Sequence, residues 1–241
     1  MSRPAGGPCG TGTWAASCAA TAVLACAFPP SATAQESQCY GEINRGRIEG
    51  SVQVPPRGPN FEVIGWSGAA RRTFVHSAVK TILEQAYAAT AEAIPDSVFL
   101  IGETGLAGGG PITNHHTHQR GTSVDLFVPA KNADGKRVLI PSRLDNGFGY
   151  KSRFGADGKS ADSSVTIDFE ALAELIYQLS ETAKKNGYGV NRVILVRELQ
   201  LKLFGTRRGS YLRWKVNFWD DPGARHDNHI HVDFAIPCKP L

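Results

Sequence analysis

Hydrophobic positions recur along this chain with two different periods, and each period predicts its own kind of element. Val75, Val79, Ile82, Leu83, Ala86 and Tyr87 fall on one helical stripe, with Lys80, Glu84 and Gln85 off it, and Pro95 closes a helix of about 20 residues. Ser97 to Gly102 is a short apolar run between turn residues, the pattern of a buried strand. Thr122 to Val128 alternates instead. Val124, Leu126 and Val128 share one face and Ser123, Asp125 and Phe127 the other, which predicts a half-buried strand with Asp125 on its second face. His229 to Ile236 alternates in the same way, with Ile230, Val232 and Phe234 opposite His229, His231 and Asp233. Asp168 has the chemistry of an N-cap for a helix through Leu172, Leu175, Ile176 and Leu179 that ends near Asn186 and Gly187. Arg192 to Arg197 reads as a strand and Glu198 to Phe204 as a short helix.

The segments between are turn-rich. Glu36 to Pro59 is expected to be an extended N-terminal arm, and Gly105 to Pro111 is a loop with four glycines. Asn132 to Lys136 and Arg143 to Lys159 are polar, with a short possible strand at Arg137 to Ile140; the second stretch has the character of a loop rimming a binding site. No repeat or linker divides residues 35–241, so a single domain is expected there. Residues 1–34 differ in kind. Trp14 to Phe28 is apolar and small, Pro29 and Pro30 end the run, and Ala32-Thr33-Ala34 has the small-x-small pattern of a cleavage site. This predicts a secretory signal peptide cut before Gln35, too short to span a bilayer comfortably; a membrane anchor or a lipidated Cys26 are the lesser alternatives.

Charge narrows the partners. The formal balance is +4, and Arg3 is the only charge before residue 35. A mildly basic chain suits retention near an anionic surface such as a cell wall, but it lacks the dense basic runs of a nucleic-acid binder. Three of the five cysteines precede residue 35, leaving Cys39 and Cys238 near the two ends of the remainder. In an oxidising compartment they are the natural disulfide pair; two free thiols are the alternative.

The candidate chemistry lies in the histidines. Six of the seven sit in two windows, His115, His116 and His118 before Asp125, and His226, His229 and His231 before Asp233; only His76 is left over. If the two alternating strands are neighbours in one antiparallel sheet, His118, Asp125 and His231 can surround one ion. Two imidazoles, one carboxylate and an open position make the usual coordination set of a catalytic zinc, which acidifies water and polarises a carbonyl. No His-Glu-x-x-His is present, so a base must come from elsewhere: His229 shares a strand face with His231, and Glu103 is the weaker candidate. Asp233 fits a partner that orients a ligand imidazole. The fold expected is α+β, with a central, mainly antiparallel sheet carrying the metal site and helices flanking it.

Pro111-Ile112-Thr113-Asn114-His115-His116-Thr117-His118 through Asp125, followed far downstream by His229-Ile230-His231, resembles the His-x6-Asp and His-x-His signature of the LAS-type metallopeptidases. Gly109 to Ile112, His115 and the Gln119-x-Gly121 step are most similar to the penicillin-insensitive murein endopeptidases. The signature covers about a tenth of the chain. The resemblance implies zinc held by His118, Asp125 and His231, with His115 at or near the metal, and makes His229 the catalytic histidine, as base or as transition-state stabiliser. His226 matches a histidine lining the site. On their own chemistry Arg225, Arg120 and the aromatics Trp214, Phe218 and Trp219 are candidates to grip a peptide carboxylate or a sugar face, with core packing the readier fate of the aromatics. Asn114 stands where the family commonly has Gly, and His116 is additional. The function implied is periplasmic hydrolysis of peptidoglycan cross-links between D-alanine and meso-diaminopimelate, with no nucleic acid, no stable membrane insertion and an open oligomeric state. A D,D-carboxypeptidase, a non-catalytic wall-binding zinc protein and a histidine-rich metal carrier are the rival readings.

Overall fold

The fold is that of a computed structural model, which describes residues 36–113, 115–221 and 224–241. The expected signal peptide lies outside the described residues. The centre is a six-stranded mixed sheet. In spatial order its strands are Phe218–Trp219, Gly189–Ile194, His229–Ala235, Ser123–Phe127, Phe99–Ile101 and Phe61–Val63. The outermost pairing on each side is parallel and the three inner pairings are antiparallel, so the α+β reading with a mainly antiparallel sheet holds.

Two long helices, Ser77–Ala93 and Phe169–Lys185, pack against each other, and their apolar stripes join the sheet in one core. Val79, Ile82, Leu83, Ala86 and Tyr87 are buried as the helical period requires. Val75 is a correction: it belongs to a two-residue strand, Phe74–Val75, and the helix starts after His76, whose ring accepts from Ala78 N at 3.2 Å. The second helix begins as expected. Asp168 Oδ1 accepts from Ala171 N at 3.3 Å, and Gly187 at φ +80° leads the chain out after Asn186.

Three other expectations change. The supposed N-terminal arm contains a hairpin, Gln38–Glu42 with Arg45–Glu49. Its Cys39 forms the expected disulfide with Cys238. The Arg137–Val138 strand is real but belongs to a separate three-stranded sheet with Ala130–Asn132 and Val165–Ile167. Ser123–Phe127 is buried along its whole length, because loops cover the face expected to be open. Among the described residues no helix is long and apolar enough to cross a membrane.

Candidate metal centre

Strand pairing brings the two distant histidine windows together. Ser123–Phe127 and His229–Ala235 run antiparallel in a register that sets His231 opposite Asp125 and Asp233 opposite Ser123. A strand has a side-chain period of two, so one register choice puts His229, His231, Asp233 and Asp125 on the same face and sends Val124, Leu126, Ile230, Val232 and Phe234 to the core.

The other histidines arrive on the glycine-rich loop, by local contortion. Gly109, at φ +73°, lies so close to Gln119 that an added Cβ would sit 2.2 Å from its carbonyl oxygen. Gly110 N donates to that same oxygen at 2.8 Å. The loop then doubles back through His118, which takes φ +68°, a conformation rare outside glycine and usually imposed by its surroundings. Here a hydrogen bond helps impose it: His118 Nδ1 lies 3.1 Å from the carbonyl oxygen of Thr104. A carbonyl can only accept, so Nδ1 carries the proton. In the neutral ring Nε2 is then a bare lone pair, and it is buried 3.2 Å from Asp125 Oδ1.

Asp125, 1 % exposed, is the hub. Its Oδ1 faces His118 Nε2 and also His231 Nδ1 at 3.0 Å. Its Oδ2 accepts from the Tyr150 hydroxyl at 3.1 Å and lies 3.7 Å from His115 Nδ1 and 3.8 Å from His229 Nε2. Burial alone would raise this carboxyl, but the imidazoles gathered round it, His231 with its hydrogen bond among them, hold the group well below the usual carboxylate range. His231 is clasped from behind, with Nε2 2.9 Å from Asp233 Oδ1. Asp233 in turn takes a hydrogen bond from Ser123 and an ion pair from Arg192. Burial opposes charge on His231, but the two carboxylates prevail and raise it to about 9.

His229 is organised differently. Asn228 donates through Nδ2 to the carbonyls of Tyr150 and Ser152, at 2.9 and 2.7 Å, so its Oδ1 accepts from His229 Nδ1 at 2.5 Å. His229 therefore presents the lone pair of Nε2 to the site. Burial pushes its pKa down to about 3 against the pull of Asp125, and the ring is neutral. His115 bridges outward, with Nε2 2.5 Å from Glu103 Oε2, and Glu103 also takes Arg72 Nη1 at 2.9 Å. Burial works to raise the Glu103 carboxyl, but His115 and the Arg72 guanidinium lower it on balance, and a carboxylate so occupied is poorly placed to act as the base.

The structure brings together His115, His118, Asp125, His229 and His231. The His226 ring packs against His229 at a tilt of 51°, with ring centroids 4.8 Å apart, so it too borders the site. Arg225 does not join them. Its guanidinium is held by Asp227 at 2.8 Å and turns into a separate cavity with Arg153 and Lys159. Tyr150 was not foreseen, because it sits in a polar, turn-rich stretch. A faint signal existed in Gly102: a Cβ there would lie 2.4 Å from the Tyr150 hydroxyl.

A cation suits this donor set. His118 Nε2 has no hydrogen-bond partner among the described residues, although it is fully buried and points at a carboxylate. Two lone pairs facing each other at that distance repel, and a positive ion between them turns the repulsion into two bonds. Ligand atoms of His115, His118 and Asp125 all lie within 4.8 Å of one another, a group that could hold a metal ion.

Fold and site thus define an α+β protein whose sheet and glycine-rich loop converge on a His/Asp cluster of hydrolase type. The family of penicillin-insensitive murein endopeptidases matches residues 39–240, and the chain belongs to that family of peptidases. It is 26% identical over 208 residues to the penicillin-insensitive murein endopeptidase of Klebsiella pneumoniae, covering 85% of this chain and 69% of that one. The protein of the same name from Haemophilus influenzae is 26% identical over 210 residues, covering 82% of this chain and 63% of its own length. That of Salmonella paratyphi B is 28% identical over 209 residues, with 85% and 69% covered. The chain therefore spans about two thirds of the length of these relatives.

Proposed function

We propose that this chain is an exported zinc peptidase that hydrolyses the amide between D-alanine and meso-diaminopimelate in peptidoglycan cross-links. Residues 1–34 would direct export to the periplasm as a signal peptide, and residues 35–241 would form one catalytic domain. One observation carries the reading: His118 Nε2, buried with no hydrogen-bond partner among the described residues, and His231 Nδ1 meet at the same oxygen of Asp125.

His118, Asp125 and His231 would hold the ion, with His115 as a further ligand. Bound zinc would supply a Lewis acid for the scissile carbonyl and would lower the pKa of water toward neutrality. The chain's own groups do the rest. His229, neutral and fixed by Asn228, has Nε2 free to accept a proton from attacking water or to face the developing oxyanion once protonated. Tyr150 keeps its proton and steadies Asp125 by donating to Oδ2. Asp233 fixes the ring plane of His231, and His226 borders the cleft. No covalent acyl-enzyme is needed, which fits insensitivity to β-lactams.

The test uses mature protein, either zinc-loaded or stripped with a chelator, given cross-linked muropeptide dimers and monomeric pentapeptides. Mass spectrometry should show dimers converted to monomers, loss of that activity on chelation and its return with zinc. Release of terminal D-alanine from monomers alone would replace this reading with a carboxypeptidase. Cleavage insensitive to chelation, or none, would remove it.

A further inference from the structure

The cluster is flanked by two cavities of opposite character that meet at His115. On the His229 and Tyr150 side lies a cavity of about 540 Å³ edged by Trp66, Phe148, Arg72 and Lys151. On the His226 and His231 side lies one of about 350 Å³ edged by Trp219, Asp220, Asp221 and Arg192, whose charge is taken up by Asp233. In the first, Lys151 is exposed and makes no ion pair among the described residues. Arg72 engages Glu103 through Nη1, and its other guanidinium nitrogens make no hydrogen bond among the described residues. The one carboxylate on that side, Glu103, is already matched by Arg72 and His115. Trp66 and Phe148 close over the cavity as a stacked pair, with centroids 5.8 Å apart and planes 9° from parallel. Phe148 itself sits at φ +58° in the turn that carries it to this wall.

We propose that the Lys151–Arg72 cavity receives the amine-side half of the cleaved bond and binds a carboxylate carried on the carbon next to the scissile nitrogen, and that the Asp220–Asp221 cavity receives the carbonyl-side half. This rests on the proposed function and adds the direction in which substrate lies. The cross-link itself has a matching asymmetry. When one amine of meso-diaminopimelate is acylated, the neighbouring carboxylate loses its ammonium partner, so the amine-side strand presents an uncompensated negative charge one bond from the reaction. The carbonyl-side strand keeps the free ammonium of its own diaminopimelate beside the carboxylate on the same carbon, a pair without net charge. Opposite charges at the two ends of the cleft would admit the cross-link in one orientation and disfavour the reverse through like-charge contacts.

The experiment measures binding as well as turnover. The probe is a tripeptide ending in meso-diaminopimelate whose side-chain amine, the one that forms the cross-link, is acetylated; it is titrated calorimetrically into zinc-loaded wild type and Lys151→Ala, beside the same peptide with the carboxylate next to that amine amidated. Wild type should favour the free acid by roughly five- to tenfold, as expected for a charge-assisted contact at a half-open site, and more weakly at high salt. Lys151→Ala should lose most of that preference, and Lys151→Arg should retain it. Dimers with free or amidated carboxylate at the same position should show the same ratio, chiefly in KM. An equal acid-to-amide preference in Lys151→Ala and wild type would overturn the assignment, as would a preference governed by Asp220→Asn instead. Failure of wild type to cut any dimer would count against the proposed function, whereas the binding ratios would still decide this one.

Discussion

The two histidine windows reach the same carboxylate by contrary means. His231 stands on a paired strand, where backbone hydrogen bonds on both sides fix its position and Asp233 fixes its ring. His118 stands on a loop in a left-handed backbone conformation, and what steadies its ring is a backbone carbonyl, that of Thr104. The strand supplies position through regular geometry and orientation through a side chain. The loop supplies both through glycines that allow close approach, and through strain absorbed by its neighbours. A site built this way has one rigid wall and one wall whose accuracy depends on packing far from the cluster.

The largest expected effect does not distinguish the walls. His118→Ala and His231→Ala should each lower kcat/KM on cross-linked dimers by about a thousandfold or more, or roughly 4 kcal/mol of transition-state stabilisation, with circular dichroism unchanged. Substantial activity in either variant would remove that residue from the proposed ligand set. The next effect separates the walls. Asp233→Asn should weaken metal affinity by roughly ten- to a hundredfold, measured by competition with a chelating dye. His118 has no corresponding side chain to remove, so a wild-type affinity in Asp233→Asn would mean the strand wall orients His231 without it. The smallest effect tests the loop. Gly109→Ala meets both the Gln119 carbonyl and a positive φ, and should cost about 1–3 kcal/mol in thermal or urea unfolding while also loosening metal binding. Wild-type stability and affinity together would show that the loop does not need its glycine to place His118.

The rigid wall could be foreseen and the adaptable one could not, for the same physical reason. Alternation along His229 to Ile236 and Thr122 to Val128 assigns faces from local sequence alone, and adjacency of the two strands then places His231 beside Asp125. The left-handed turn at His118 depends on Thr104, Gln119 and Gly109, contacts that no local pattern encodes. Tyr150 was hidden for a similar reason: its stretch reads as solvent-facing loop, while its hydroxyl lies between Asp125 and Glu103 N. Val75 misled because it continues a helical stripe, yet its backbone pairs with Val52 and the helix is capped by a histidine, a residue outside the usual capping set. Arg225, a candidate for gripping substrate, is held by the buried Asp227 carboxylate two residues on, a pairing that no local pattern announces.

The one-to-one matching of His231 with Asp125 carries a consequence for how faults show themselves. Sliding either strand by a single residue would turn every polar group on it toward the oily interior and lift Val124, Val232 and their neighbours into water. Such a molecule would have no partly working centre. Alignment errors in the sheet should therefore yield inert protein rather than a half-active one.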